Sequence, residues 1–282
     1  MKTLLKSHTK EITIDPEGPV VIIGEKINPT GHKKLAAALQ ENNFDYVREL
    51  AKRQVAAGAD VLDVNVGVPG LNDVALMPEI VKLVAETVNV PLCLDSPNPA
   101  ALAAGLAVAP GKPLVNSVSG EVARLQSVLP LVKERRAAVI GLAMDDNGIP
   151  SDAEGRLAIA ETILEHAAQI GIPTEDVIID PLVMTVGADS RAGVITLLTI
   201  ELLRKHLGVN INLGASNVSF GLPDRHTVNQ TFMALAIGVG ANCMITDPMK
   251  LTGVIRAADL LLGRDEYAMR FIKWFRSLPK TE

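Results

Sequence analysis

The stretch GASNVSFGLPDR, from Gly214 to Arg225, follows directly on the apolar run INL and sets hydroxyls, an amide and a guanidinium side by side. It is one of several such places. Glu25 is followed by Lys26 and Asn28, Asp63 by Asn65, Asp95 by Ser96, and Asn116 by Ser117. Met144 leads into Asp145 and Asp146, VII runs into Asp180, and MIT into Asp247. Taken singly, each has a plain explanation, because Asp and Asn cap helices and start turns. Asp145 and Asp146, in MDDNGIPSD, read as turn residues, and Asp247 before Pro248 reads as a cap. The recurrence is harder to set aside: carboxylates and amides end nearly every apolar run.

Carboxylates accept hydrogen bonds, and primary amides both donate and accept. Arranged around one point, they suit a flat heterocycle with an amino-pyrimidine edge, such as a pterin. One carboxylate takes parallel N–H bonds from a ring nitrogen and an exocyclic amine. An amide then reads the neighbouring ring nitrogen and oxo group. The five histidines (His8, His32, His166, His206 and His226) fall away from the run ends, and no HxH, HExxH or His/Cys cluster occurs. The residues therefore predict no metal ligand set, an all-carboxylate magnesium site being the one alternative. Cys93 and Cys243 lie inside apolar runs and read as buried thiols.

The runs that must position these residues are VVIIGE (20–25), DVLDVNV (60–66), LCLDS (92–96), LVNSV (114–118), AVIGLAM (138–144), VIIDPL (177–182), INLGASN (211–217) and CMITDP (243–248). They are continuously apolar, as strands covered on both faces are. Helical patterns separate them, including FDYVRELAKRQVAAG, with Gly58 as its terminator, and SDAEGRLAIAETILEHAAQIG, with Ser151 and Glu154 as a capping box. Eight β-then-α units in 282 residues predict one α/β domain, a (β/α)8 barrel over 20–282 preceded by an N-terminal extension, 1–19. A doubly wound sheet lacks its GxGxxG fingerprint. In such a barrel the strand ends, with their Asp and Asn residues, form the active-site face.

Hydrophobic residues make up 48% of the chain and aromatics 3%, a composition for packed aliphatic layers rather than base-stacking platforms. A net charge of −5 without long basic runs argues against nucleic acid. With no apolar run of membrane length and no leader-like N-terminus, the expectation is a cytoplasmic protein free of the membrane.

VIIGEKINPTG (21–31), DVNVG (63–67), LCLDS, VNS (115–117), IDPL (179–182) and GASNVSFGLPDR, in that order, resemble the pterin-binding methyltransferases. That family includes the methyltetrahydrofolate:corrinoid/iron–sulfur protein methyltransferases and the folate-binding module of cobalamin-dependent methionine synthase. The resemblance runs from about residue 20 to 275 and implies a TIM barrel. It implies that Asp95, Asn116 and Asp180 hold the pterin, that Asn217 stands near its N5, and that Gly214, Ser216 and Arg225 line the same site. It further implies tetrahydrofolate or 5-methyltetrahydrofolate as substrate, a corrinoid carried by a partner protein, and a homodimer. Phe220 departs from the polar residue of the acetogen enzymes, and the corrinoid-binding DxHxxG motif is absent. Three other readings compete with it. Dihydropteroate synthase shares barrel and pterin, but its Ser-x-Arg signature is missing; a Schiff-base aldolase would rest on Lys26; a non-catalytic pterin binder would take folate without transferring methyl.

Overall fold

A computed structural model describes residues 1–278. A short antiparallel hairpin comes first, β1 (Thr3–Lys6) and β2 (Glu11–Ile14). Eight parallel strands follow: β3 (Val21–Ile27), β4 (Val61–Val64), β5 (Leu92–Asp95), β6 (Leu114–Ser119), β7 (Ala138–Leu142), β8 (Val177–Asp180), β9 (Asn210–Gly214) and β10 (Cys243–Thr246). They close into a barrel in sequence order, with β10 pairing both β9 and β3. Around them lie α1 (Lys33–Gln40), α2 (Asp45–Ala56), α3 (Asp73–Thr87), α4 (Pro99–Val108), α5 (Val122–Arg135), α6 (Ala153–Gln169), α7 (Ala192–His206), α8 (Arg225–Gly238), α9 (Pro248–Leu261) and α10 (Met269–Ser277). The barrel expected from the sequence is the one found.

Side chains alternate along a strand, which sorts each apolar run into two cores. Leu62, Leu94, Val115, Val139, Ile179 and Leu213 point outward and pack under the helices. Val61, Cys93, Leu114, Ala138, Ile140, Ile178 and Cys243 point inward and fill the barrel. Two residues further along the same inward period stand Asp63, Asp95, Asn116 and Asp180. On β9 the corresponding residue is Asn212, two beyond Asn210. The polar run ends thus form one inner layer above an apolar plug.

The hairpin closes the opposite end. Leu5 and Ile14 are fully buried and belong to the interior core. Buried amides tie the hairpin to the barrel: Asn210 Nδ2 donates to Thr3 Oγ1 (2.8 Å) and to the Ile14 carbonyl (3.1 Å), and Asn242 Nδ2 donates to Asn210 Oδ1 (2.7 Å). Ile14→Ala should therefore cost about 2–5 kcal/mol, the loss for deleting a large buried side chain that cannot be replaced by collapse. Urea unfolding measures it, and a loss below about 1 kcal/mol would show that the hairpin is not part of the core.

Three local readings need correction. The cap of α6 is Asp152, whose carboxylate accepts from Gly155 N, rather than Ser151; an Asp one position nearer the helix competes successfully for the free N–H groups. The seventh run ends at Gly214, and Ala215–Ser219 form a 3-10 turn instead of continuing the strand. The fifth run ends at Leu142, with Asp145 and Gly148 closing a tight turn beyond it. Gly58 has the positive φ of a helix terminator, +109°. Asp247 caps α9 by accepting from Met249 N (3.1 Å).

Candidate active site at the barrel mouth

β3 opens the site. A β-carbon on Gly24 would stand 2.6 Å from Gln54 Oε1, so glycine is what lets the amide of α2 reach the backbone. Gln54 Oε1 accepts from Lys26 N (2.8 Å), and the register against β4 shifts between Gly24 and Ile27. This bulge re-aims the strand end, and both Glu25 and Lys26 line the mouth. Lys26 Nζ lies 3.4 Å from Asp247 Oδ2 and 3.9 Å from Glu25 Oε1.

The mouth holds a cavity of about 370 Å³ walled by Glu25, Asn28, Asp63, Asp95, Asn116 and Ile245, among others. A second lobe of about 320 Å³, toward Ser117, Arg124 and Met144, shares Asp95 and Asn116 with it. Each lobe is within the size range of small-molecule sites. Asn65 Nδ2 donates to Asp95 Oδ2 (2.9 Å), as does Asn28 Nδ2 at 3.5 Å. Asn116 Nδ2 donates to Asp63 Oδ1 (3.2 Å). Asp180 Oδ1 accepts from Leu182 N (2.8 Å) and Oδ2 from Asn212 Nδ2 (2.7 Å). These partners fix the orientation of each carboxylate before any ligand arrives.

Burial raises the pKa of every carboxyl in this layer. For Asp63, burial acts first and the nearby Asp95 second, against the amide of Asn116. Burial also raises Asp95, opposed by Asn65, and Glu25, opposed by Lys26. Asp180 is pushed up to about 6 by burial, held back by the N–H groups it accepts from. Cys93 and Cys243 are buried, and burial pushes both thiols up, so they sit in the interior as neutral S–H groups.

Asp95 and Asn116 thus stand together in the cavity wall, and Asp180 lies in the same inner layer, buried beneath its own hydrogen bonds. Gly214, Ser216 and Asn217 sit where β9 passes into the 3-10 turn. The Asn217 side chain is exposed. Arg225 does not reach the cavity wall. A cation in the first turn of α8 opposes the helix dipole, and its guanidinium is held instead by the turn: Nη2 donates to the Ser216 carbonyl (2.8 Å) and Nε to Ser219 Oγ (3.1 Å). Asn212 was not singled out by sequence. It is fully buried beside Asp180 and its Oδ1 has no hydrogen-bond partner. Orphaned buried acceptors are rare, and this one belongs to the amide that donates to Asp180. Its signal was an amide on the inward period of an apolar strand, two residues before the polar turn.

The family described as pterin binding enzyme matches residues 24–247. The methylcorrinoid:tetrahydrofolate methyltransferase of Eubacterium limosum is 33% identical over 265 residues, 91% of this chain and 96% of that protein. The methionine synthase of Mycobacterium tuberculosis is 31% identical over 248 residues, 83% of this chain and only 21% of the synthase. Among solved structures, the dihydropteroate synthase of Yersinia pestis with a pterine–sulfa conjugate superposes with a TM-score of 0.70 at 15% identity, over 93% of this chain and 100% of that one. The Xanthomonas albilineans synthase with 7,8-dihydropteroate gives 0.70 at 20%, over 92% and 98%. The likeness to the synthases is one of fold. The closed parallel barrel, the layer of carboxylates and amides at its mouth and the match over most of the sequence together place this chain in the pterin binding enzyme family.

Proposed function

We propose that the protein is a methyltransferase moving a methyl group between the cobalt of a corrinoid, carried on a separate protein, and N5 of tetrahydrofolate. The observation that carries this reading is the inner polar layer, in which Asp95 and Asp180 end their strands and Asn116 stands at the same level of β6, all above an apolar plug. Asp180 and Asp95 accept N–H bonds from the amino-pyrimidine edge, and Asn116 reads the adjacent ring atoms. Gly214 and Ser216 bring the backbone of the turn close to the ring, and Arg225 fixes that turn. The whole-length similarity to a methylcorrinoid:tetrahydrofolate methyltransferase supports methylcorrinoid as the donor in this chain.

The same site serves both directions. From methyltetrahydrofolate, the cobalt(I) lone pair forms the Co–C bond as the C–N5 bond breaks, and N5 keeps the C–N5 bond pair and takes up a proton. In reverse, N5 attacks the methyl carbon, the Co–C pair returns to cobalt, and N5 releases its proton. Positive charge develops at N5 on the way, and the role assigned to the Asn217 amide oxygen is to stabilise it. The barrel contributes orientation, holding the pterin at an open mouth where a corrin face can approach in line.

Calorimetric titration with tetrahydrofolate tests the recognition half of this reading. Micromolar binding that free pterin competes for and 4-aminobenzoate does not is expected; no binding would remove the pterin reading. We also propose a cytoplasmic homodimer; the exposed Leu261, Tyr267 and Phe275 along the last helices support the pairing, and light scattering should give the mass of two chains. Among the described residues, no helix is long and apolar enough to cross a membrane.

A further inference from the structure

Three carboxylates of the inner layer, Asp63, Asp95 and Asp180, each accept a hydrogen bond from a fixed amide or backbone donor. Glu25 is the exception. It lines the same cavity, its side chain is 27% exposed, and among the described residues it accepts no hydrogen bond. Lys26 is its nearest cation, at 3.9 Å, but lies closer to Asp247. The charged groups facing it are Lys26 on its own strand, Asp63 on β4, Arg225 on α8, and Asp247 and Lys250 at the start of α9. Burial, ahead of the opposing Lys26, favours its protonated form.

Its place in the barrel matters as much. β3 pairs with β4, which carries Asp63, and with β10, whose other neighbour β9 leads into the Asn217 turn. Glu25 therefore stands on the wall between Asp63 and Asp95 on one side and the turn assigned to N5 on the other. An amide cannot deliver the proton that N5 must acquire. A carboxylate held by a fixed donor cannot swing toward N5 without giving up that bond, whereas Glu25 has no such bond to lose.

We propose that Glu25 is the proton-handling catalytic residue of the methyl transfer, an inference that rests on the methyltransferase reading above. From methyltetrahydrofolate, the Glu25 carboxyl gives its proton to N5 as the C–N5 bond breaks and the Co–C bond forms. The products are tetrahydrofolate, the methylcorrinoid and the Glu25 carboxylate, which regains a proton from solvent. In the reverse direction, that carboxylate takes the N5 proton as the methyl group arrives.

The test is single-turnover methyl transfer from methyltetrahydrofolate to free cob(I)alamin, across pH, with wild type, Glu25→Gln and Glu25→Asp. Glu25→Gln should be slowed about 100-fold, at the lower end for loss of a general acid, with its dissociation constant for methyltetrahydrofolate within about threefold. Glu25→Asp should recover part of the rate, and the wild-type fall in rate at high pH should disappear in Glu25→Gln. A second donor separates chemistry from structure: a tetrahydropterin carrying two methyl groups on N5 is already cationic and needs no proton. Glu25→Gln and wild type should use it at equal rates, whereas a merely structural defect would persist. A wild type that transfers methyl while Glu25→Gln keeps its rate and pH profile overturns the Glu25 assignment alone. A wild type that binds folate but transfers methyl from neither donor overturns the methyltransferase reading and Glu25's role with it.

Discussion

Asn217→Ala is expected to slow single-turnover methyl transfer about 1,000-fold while leaving the dissociation constant for tetrahydrofolate within about threefold. The size follows from what a positioned amide does for charge that appears only in the transition state. The structure supports the split between rate and binding. The turn carrying Asn217 is fixed by its backbone and by Arg225: Phe220 N donates to the Asn217 carbonyl (3.1 Å), and Arg225 holds Ser216 and Ser219. The Asn217 side chain itself is exposed and, among the described residues, makes no hydrogen bond, so its amide is free to turn toward N5. Removing an exposed side chain away from any core should change stability by no more than about 0.5 kcal/mol, so lost folding cannot mimic the effect. Stopped-flow kinetics at saturating folate decides it. An unchanged rate would mean that the amide plays no part in the chemistry.

Asp180→Ala should act on the opposite quantity, weakening tetrahydrofolate binding about 1,000-fold. Two hydrogen bonds to a buried carboxylate, each worth about 1.5–3 kcal/mol, account for about 4 kcal/mol, and the ligand's donors would be left unpaired. The carboxylate's pKa adds a pH signature. It is about 6 in the folded protein against 3.8 ordinarily. The folded state therefore holds the proton more tightly than the unfolded chain. The stabilising effect of that proton is complete below about pH 4 and is lost as pH rises through about 6. At neutral pH the buried charge costs about 3 kcal/mol relative to acid. Folate binding to the ionised form has the reverse dependence, falling about tenfold between pH 7 and pH 5. Asp180→Asn should flatten both curves: folate affinity is low at either pH, and the stability difference from wild type shifts in the variant's favour as pH rises. Urea unfolding and calorimetry at pH 5 and pH 7.5 measure the two. Tight, pH-independent binding by Asp180→Ala would require the pterin to be placed elsewhere in the mouth.

The barrel was legible because strands buried on both faces are written as unbroken apolar runs, and eight of them recur with helical spacing. The polar layer was legible in part. Asp63, Asp95, Asn116 and Asp180 interrupt aliphatic runs, where a carboxylate or an amide has no packing reason to be. Asn212 was not, because it lies inside INLGASN, whose polar end is the stronger signal. Helices α1, α4 and α10 and the hairpin were less legible. α4, PAALAAGLAV, is apolar on every side and shows no period, while α1 spans only eight residues. β1 and β2 are four residues each, too short for alternation to stand out, though Leu5 and Ile14 prove to be core. The roles of Glu25 and Arg225 turned on what their side chains touch, which spacing does not encode. Arg225 holds the turn, and Glu25 faces the cavity unbonded.

The most direct test of methyl exchange between folate and cobalt is to saturate the protein with methyltetrahydrofolate, add free cob(I)alamin under reducing conditions, and follow the cobalt(I) absorbance. Loss of that absorbance with stoichiometric methylcobalamin and tetrahydrofolate is the predicted result, and mixing methylcobalamin with tetrahydrofolate should run the same reaction backward. Tight folate binding with a cobalt(I) signal that stays constant, even after a corrinoid protein replaces free cobalamin, would contradict the account and leave a barrel that binds a pterin without transferring its methyl group.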